Sequence, residues 1–173
     1  MTAFEFYSWQ TRGGADAVSR LVTVLEQTDV PWCVIGGIAV NHWAQEPMAT
    51  RDVDLVIAAP ALEEALAALG KAGFRVERHE WSVNLQAEGV VSIQISTESF
   101  YHDFTSRAVP AEIHGINMRV ASLEDTLAGK VKAWREPSRR RSKRLKDLTD
   151  IARLLDAHPG LQIPEDVRTA IAD

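Results

Sequence analysis

A single cysteine, Cys33, stands in 173 residues, which excludes an internal disulfide and a zinc site rich in cysteine. It falls in a short apolar run and reads as a small core side chain rather than a nucleophile. No apolar run approaches the length that crosses a membrane, so neither a spanning helix nor a membrane partner is expected. Met1 to Arg12 lacks the basic start and apolar centre of a signal peptide, which predicts a cytoplasmic protein. The five histidines are scattered, with no pair at metal-ligand spacing. Repeats and low-complexity linkers are missing too, apart from residues 136–142. The expectation is one compact unit, a core over residues 1–121 with a helical segment over 122–173 packed on it.

Charge is what the chain distributes unevenly. The net charge is −5, yet residues 130–146 hold nine of the nineteen Lys and Arg and one acid, Glu136. Such a chain is no general nucleic-acid coat, although it could grip one polyanion locally.

Val34-Ile35-Gly36-Gly37 is an apolar run stopped by two glycines. This is how a strand hands over to a helix where something approaches the backbone closely. A short helix over Ile38 to Gln45 would present its free N–H groups and positive dipole end at the glycines, which suits a phosphate. Fourteen residues later comes Asp52-Val53-Asp54-Leu55-Val56-Ile57, and in a strand this spacing puts both carboxylates on one face. Two like charges side by side need a cation, and paired oxygen ligands suit Mg²⁺ or Mn²⁺. A Gly-Gly turn beside two surface aspartates is the plainer alternative.

The rest of the chain alternates. Ala15 to Gln27 has the helical period, Trp32–Ile35 is a strand, and Ala58-Ala59-Pro60 opens a helix stopped by Gly73. Phe74 to Arg78, Ser82 to Ala87 and Val90 to Thr97 read as strands, the last alternating as half-buried antiparallel strands do. Ser99 to Pro110 reads as a loop beside the pocket, and Ala111 to Val120 as a hairpin around His114-Gly115. Ser122 caps a helix that runs to about Trp134. Further helices follow near Lys143 to Ala157 and over Pro164 to Ala172. The order predicts an α+β fold, a mixed sheet with helices on one face and a helical C-terminal segment.

The glycine pair followed by Thr50-Arg51-Asp52-Val53-Asp54 resembles the signature of the DNA-polymerase-β-like nucleotidyltransferase superfamily, in its small bacterial branch. That branch includes minimal nucleotidyltransferases and those of abortive-infection and toxin–antitoxin systems. The resemblance implies transfer of a nucleoside monophosphate from Mg–NTP to an acceptor, with Asp52 and Asp54 as metal ligands and catalytic residues. It implies that Gly36, Gly37 and Arg51 meet the nucleotide. Lys130-Val131-Lys132-Ala133 and Arg144-Leu145-Lys146-Asp147-Leu148-Thr149-Asp150 resemble a second pattern of the abortive-infection branch. By position it implies nucleotide-binding and catalytic roles for Lys130 and a catalytic role for Asp147. A helix laced with salt bridges would share this spacing.

The sequence departs from the superfamily on the strand after Glu88-Gly89. Where a third carboxylate is expected it offers Ser92, Gln94 and Ser96, and Gln94 is no proton acceptor. Two further readings therefore stand beside the enzyme. One is an impaired member of the fold that binds nucleotide, RNA or a toxin–antitoxin partner protein. The other is a component in which Arg139-Arg140-Arg141, Lys143, Arg144 and Lys146, read as a basic run starting on a loop, grip an RNA such as a tRNA end.

Overall fold

A computed structural model describes residues 14–50, 52–87 and 91–172. Helix α1 (Gly14–Gln27) buries Ala15, Val18, Leu21, Val22 and Leu25, the stripe that its period predicts. Then come β1 (Trp32–Ile35), α2 (Gly36–Ala44) and β2 (Asp52–Ile57). A 3₁₀ turn at Ala59–Ala61 opens α3 (Leu62–Lys71), which is followed by β3 (Arg75–Arg78), β4 (Ser82–Gln86) and β5 (Ser92–Ser96). A 3₁₀ helix, Ser99–Arg107, leads to the hairpin β6 (Val109–Ile113) and β7 (Ile116–Val120). Helices α4 (Leu123–Arg135), α5 (Arg141–Ala157) and α6 (Glu165–Ala172) complete the described chain.

The seven strands form one mixed sheet in the order β3-β4-β5-β2-β1-β7-β6. Strand β2 lies at its centre, antiparallel to β1 and parallel to β5. Strand alternation then separates two surfaces. Val53, Leu55 and Ile57 join Val83, Leu85, Ile93 and Ile95 in the main core, against α1 and α3. Asp52, Asp54 and Val56 point the other way. Val56 is covered there by Cys33, Phe104 and Ala121. A separate cluster joins Val40 and Ala44 of α2 to Leu127, Val131, Ile151, Leu154 and Val167 of the three C-terminal helices. Helix α2 therefore pins those helices to the sheet, because its Ile38 and Ala39 lie in the main core.

Two expectations change. Ser99–Pro110 is not an irregular loop. Its aromatic residues Phe100, Tyr101 and Phe104 pack edge to face at centroid distances of 5.0–5.6 Å, which winds the segment into a 3₁₀ helix. Val109 and Pro110 instead begin β6, at the sheet edge, where a proline costs no ladder partner on the open side. The last long helix starts at Arg141, two residues before the expected Lys143, so Arg141 is helical and of the basic run only Arg139 and Arg140 precede the helix. The Ser122 cap is as expected, its hydroxyl accepting a hydrogen bond from the Asp125 N–H at 3.1 Å. Cys33 is fully buried and its thiol is pushed up to about 12 by that burial, so it is a core residue. Arg51, Glu88 and Gly89 lie outside the described residues, as does the Phe4 to Arg12 stretch.

Candidate nucleotide and metal site

The chain turns from β1 into α2 at Gly36, whose φ of +64° is the left-handed conformation that glycine adopts freely. A second constraint acts at the same place. A Cβ on Gly36 would lie 2.6 Å from Oδ2 of Asp54, inside any van der Waals contact. A Cβ on Gly37 would lie 3.1 Å from the Thr50 hydroxyl oxygen. Ile35 precedes α2 and offers no side-chain cap, so no side chain occupies the first-turn N–H groups in the way a Ser or Asp cap would. The glycines thus bring an uncapped helix N-terminus against the central carboxylate.

Asp54 pairs in register with Ile35 on one side and Gln94 on the other. Burial and the neighbouring Asp52 carboxylate hold its pKa above the usual carboxylate range, although Lys130, Lys143 and Arg139 pull the other way. Asp52, two residues earlier on the same face, is half-exposed and has the Lys143 ammonium 3.8 Å from its Oδ2. A cleft of about 260 Å³ opens here, lined among others by Gly36, Asp54, Gln94, Tyr101, Lys130 and Arg139. Gln94 sits where the third carboxylate was sought. Its amide donates to the Ser82 hydroxyl at 3.2 Å and to Asn84 Oδ1 at 3.3 Å. Glu98, at the cleft's edge, is paired with Lys132 at 2.6 Å. Burial, with help from Glu98 and Asp54, pushes the Tyr101 phenol up to about 12, so it stays neutral.

Behind the cleft lies a network of buried charges. Lys130 on α4 meets Asp150 at 2.8 Å and Asp147 at 3.4 Å, and both aspartate side chains are 1% exposed. Arg139 donates to Asp147 through Nε at 2.5 Å and Nη2 at 3.2 Å. Lys146 and Arg153 each reach Asp150 at 3.1 Å. Arg153 also donates to Asn41 Oδ1 at 2.9 Å and to the Glu46 carbonyl, tying α5 to the end of α2. Asp147 thus does not line the cleft. It stands behind Lys130 and Arg139, which do. Burial raises the Asp150 carboxyl, but Lys130 and Lys146 outweigh it and hold the group below its usual value.

The charge-rich stretch is largely paired. Lys132 meets Glu98, Arg135 meets Asp166, and Arg144 donates to the Trp134 carbonyl. Arg140 and Arg141 are exposed and have no such partner among the described residues.

The donor set suits a hard divalent cation of the Mg²⁺ kind. Such an ion is commonly held by one or two carboxylates together with substrate phosphates. Among the described residues no group of three or more His, Cys, Asp or Glu could hold a metal without that help. Burial, followed by the neighbouring Asp52, raises the Asp54 pKa, and a cation held by both carboxylates would relieve that cost.

Residues 21–172 match the model of the nucleotidyl transferase AbiEii toxin family, of type IV toxin–antitoxin systems. The chain belongs to that family. Its activity is nucleotidyl transfer, in which a nucleoside monophosphate passes from a nucleoside triphosphate to an acceptor. Enzymes of this kind generally use divalent metal ions. No curated protein matches the chain. Solved structures share the fold at low identity. ANT(2″)-Ia in complex with adenylyl-2″-tobramycin has a TM-score of 0.62 and 15% identity over 91% of this chain and 94% of its own. An antigenic nucleotidyltransferase-like protein from Paracoccidioides brasiliensis has 0.58 and 20% over 91% and 84%. The lincosamide antibiotic adenylyltransferase LnuA, bound to lincomycin, has 0.54 and 14% over 76% and 92%.

Of the residues that sequence reasoning singled out, Gly36, Asp54 and Lys130 line one cleft, while Gly37 and Asp52 adjoin it in the chain. That reasoning missed Arg139 as the ion-pair partner of the buried Asp147, Lys143 beside Asp52, and Arg153. The signal for Arg139 was its distance of eight residues from Asp147 across a helix start, which no periodicity rule detects.

Three outcomes follow for stability. Asp54→Asn should raise the melting temperature of the ligand-free protein at pH 7, by about 2–4 °C for each kcal/mol of repulsion and desolvation removed. A carboxyl whose folded pKa is raised destabilises the fold above its unfolded pKa of about 3.9, so the gain should vanish at pH values below that. A melting temperature unchanged at pH 7 would contradict this. Asp147→Ala, which leaves Lys130 and Arg139 short of their counter-ion, should cost about 3–5 kcal/mol in urea unfolding. Arg140→Gln and Arg141→Gln should stay within about 0.5 kcal/mol.

Proposed function

We propose that this nucleotidyltransferase binds Mg²⁺, or Mn²⁺ in its place, through Asp52 and Asp54, and receives the triphosphate between Gly36–Gly37 and the cationic wall of Lys130 and Arg139. The observation that carries this reading is the contact between the glycine-opened start of α2 and Asp54. A helix N-terminus offers N–H groups and positive potential to phosphate oxygens. The same N-terminus lies beside the Asp52–Asp54 carboxylate pair. When bound, the divalent ion supplies charge neutralisation for the phosphates and for the oxygens that move.

The remaining work falls to side chains that orient. Lys130 and Arg139 present positive charge to the cleft while Asp147 and Asp150 hold their other sides. Asp147 and Asp150 are on this account positioning residues, fully covered and unable to touch substrate. Such a wall suits the developing charge of the leaving pyrophosphate, where aligned cations cost no reorganisation. Gln94 and the neutral Tyr101 supply hydrogen-bonding groups without a general base. Turnover limited by deprotonation of the acceptor is the expected consequence.

The acceptor lies beyond the cleft. An RNA acceptor would meet Arg140 and Arg141, which have no ion-pair partner among the described residues, so its electrostatic footprint would be small.

Calorimetric titration with a non-hydrolysable NTP tests the metal reading. Affinity should fall by about ten-fold or more when Mg²⁺ is replaced by EDTA, and Asp52→Asn should bring the Mg²⁺ value toward that metal-free one. Equal affinity in both buffers for the wild-type protein would contradict it.

A further inference from the structure

Lys130, Arg139 and Lys143 act on Asp54 and Lys146 lies beside the glycines, and these four cations are not alike. Lys130, Arg139 and Lys146 have their counter-ions in the buried aspartates Asp147 and Asp150. Lys143 has none there. Its ammonium faces Asp52, at 3.8 Å from Oδ2, with the lysine side chain 42% exposed and the aspartate 49%. The pair is loose, yet it occupies the carboxylate that the proposed function assigns to a divalent cation. One turn further along α5, the Lys146 ammonium lies 3.9 Å from where a Gly37 Cβ would stand, so this helix face overlooks the glycines.

We propose that Lys143 is a placeholder cation: it neutralises Asp52 in the nucleotide-free protein, gives that carboxylate up to the divalent ion, and then pairs with the triphosphate. The inference rests on the metal reading above and adds a coupling to it. An ammonium and a divalent ion cannot share one half-exposed carboxylate without repulsion, so metal binding alone must displace Lys143 and leave it unpaired. A triphosphate arriving with the metal gives the displaced ammonium a new anionic partner beside the start of α2. A long flexible stem and a compact charge suit lysine to such an exchange. Metal and triphosphate should then bind with positive cooperativity, and the effect must be reciprocal. The other three cations are engaged with Asp147 or Asp150, so taking this part would break a contact to a buried carboxylate.

The probes are Mn²⁺ alone and Mn²⁺ with inorganic tripolyphosphate, which removes any dependence on the base. Binding is followed by paramagnetic resonance of free Mn²⁺ and by calorimetry. Lys143→Gln should bind Mn²⁺ alone about two- to five-fold more tightly, the range expected for loss of an exposed ion pair. The same variant should bind Mn²⁺–tripolyphosphate about ten-fold more weakly. Lys143→Arg should keep the wild-type pattern, and Arg75→Gln, a charge loss on the exposed edge strand β3, should change neither affinity. The two opposite shifts in one variant are the signature. Metal affinity that is unchanged or weaker in Lys143→Gln would overturn the placeholder role. A wild-type protein that binds no Mn²⁺ in either condition would overturn the metal reading, and the placeholder with it.

Discussion

The structure depends on one buried ionic contact, that of Lys130 with Asp147 and Asp150 between α4 and α5. Two carboxylates that are almost wholly covered would be prohibitive without matching charge, and four cations converge on them. A hydrophobic pairing of the two helices would serve stability as well. What ions add is a constraint on direction, because each carboxylate holds the back of a cation whose front lines the cleft. Arg153 extends the constraint to Asn41 and the Glu46 carbonyl, where the chain leaves α2 on its way to the aspartate strand. The buried network and the exposed site are therefore one construction.

The opposite wall is built by the backbone. The register of β2 against β1 brings Asp54 level with Ile35, and the sharp entry into α2 then requires glycine twice over, for φ and for space. Period-2 alternation gives β2 an apolar side committed to the main core and a polar side carrying the carboxylates. Fold and site are thus fixed by the same six residues. A slip of one position would bury Asp52 and Asp54 in the core and turn Val53 and Leu55 into the cleft.

This explains what could be read in advance. The glycine pair, the Asp-x-Asp strand and Gln94 obey local rules of turn chemistry and alternation, so their meeting was visible in the chain. Ser122 and the stripe of α1 were visible for the same reason. The partners of the basic run were not. Arg139 and Asp147 approach because a helix begins between them, and Lys143 reaches Asp52 across ninety-odd positions of sequence through packing of α5 on the site. A run of arginines and lysines looks solvated until its counter-ions are placed. The 3₁₀ helix at Ser99–Arg107 was hidden likewise, since its aromatic packing is interleaved with polar residues.

The central claim is that a metal-bound triphosphate lies between the glycine-opened start of α2 and the cations that the buried aspartates hold. A crystal structure with Mg²⁺ and a non-hydrolysable NTP tests it most directly. The account predicts the cation on Asp52 and Asp54, phosphate oxygens at the Gly36–Gly37 N–H groups and facing Lys130 and Arg139, and the Lys130–Asp150 contact still in place. Triphosphate bound away from the glycines, or a metal site that leaves Asp52 and Asp54 without a cation, would contradict it.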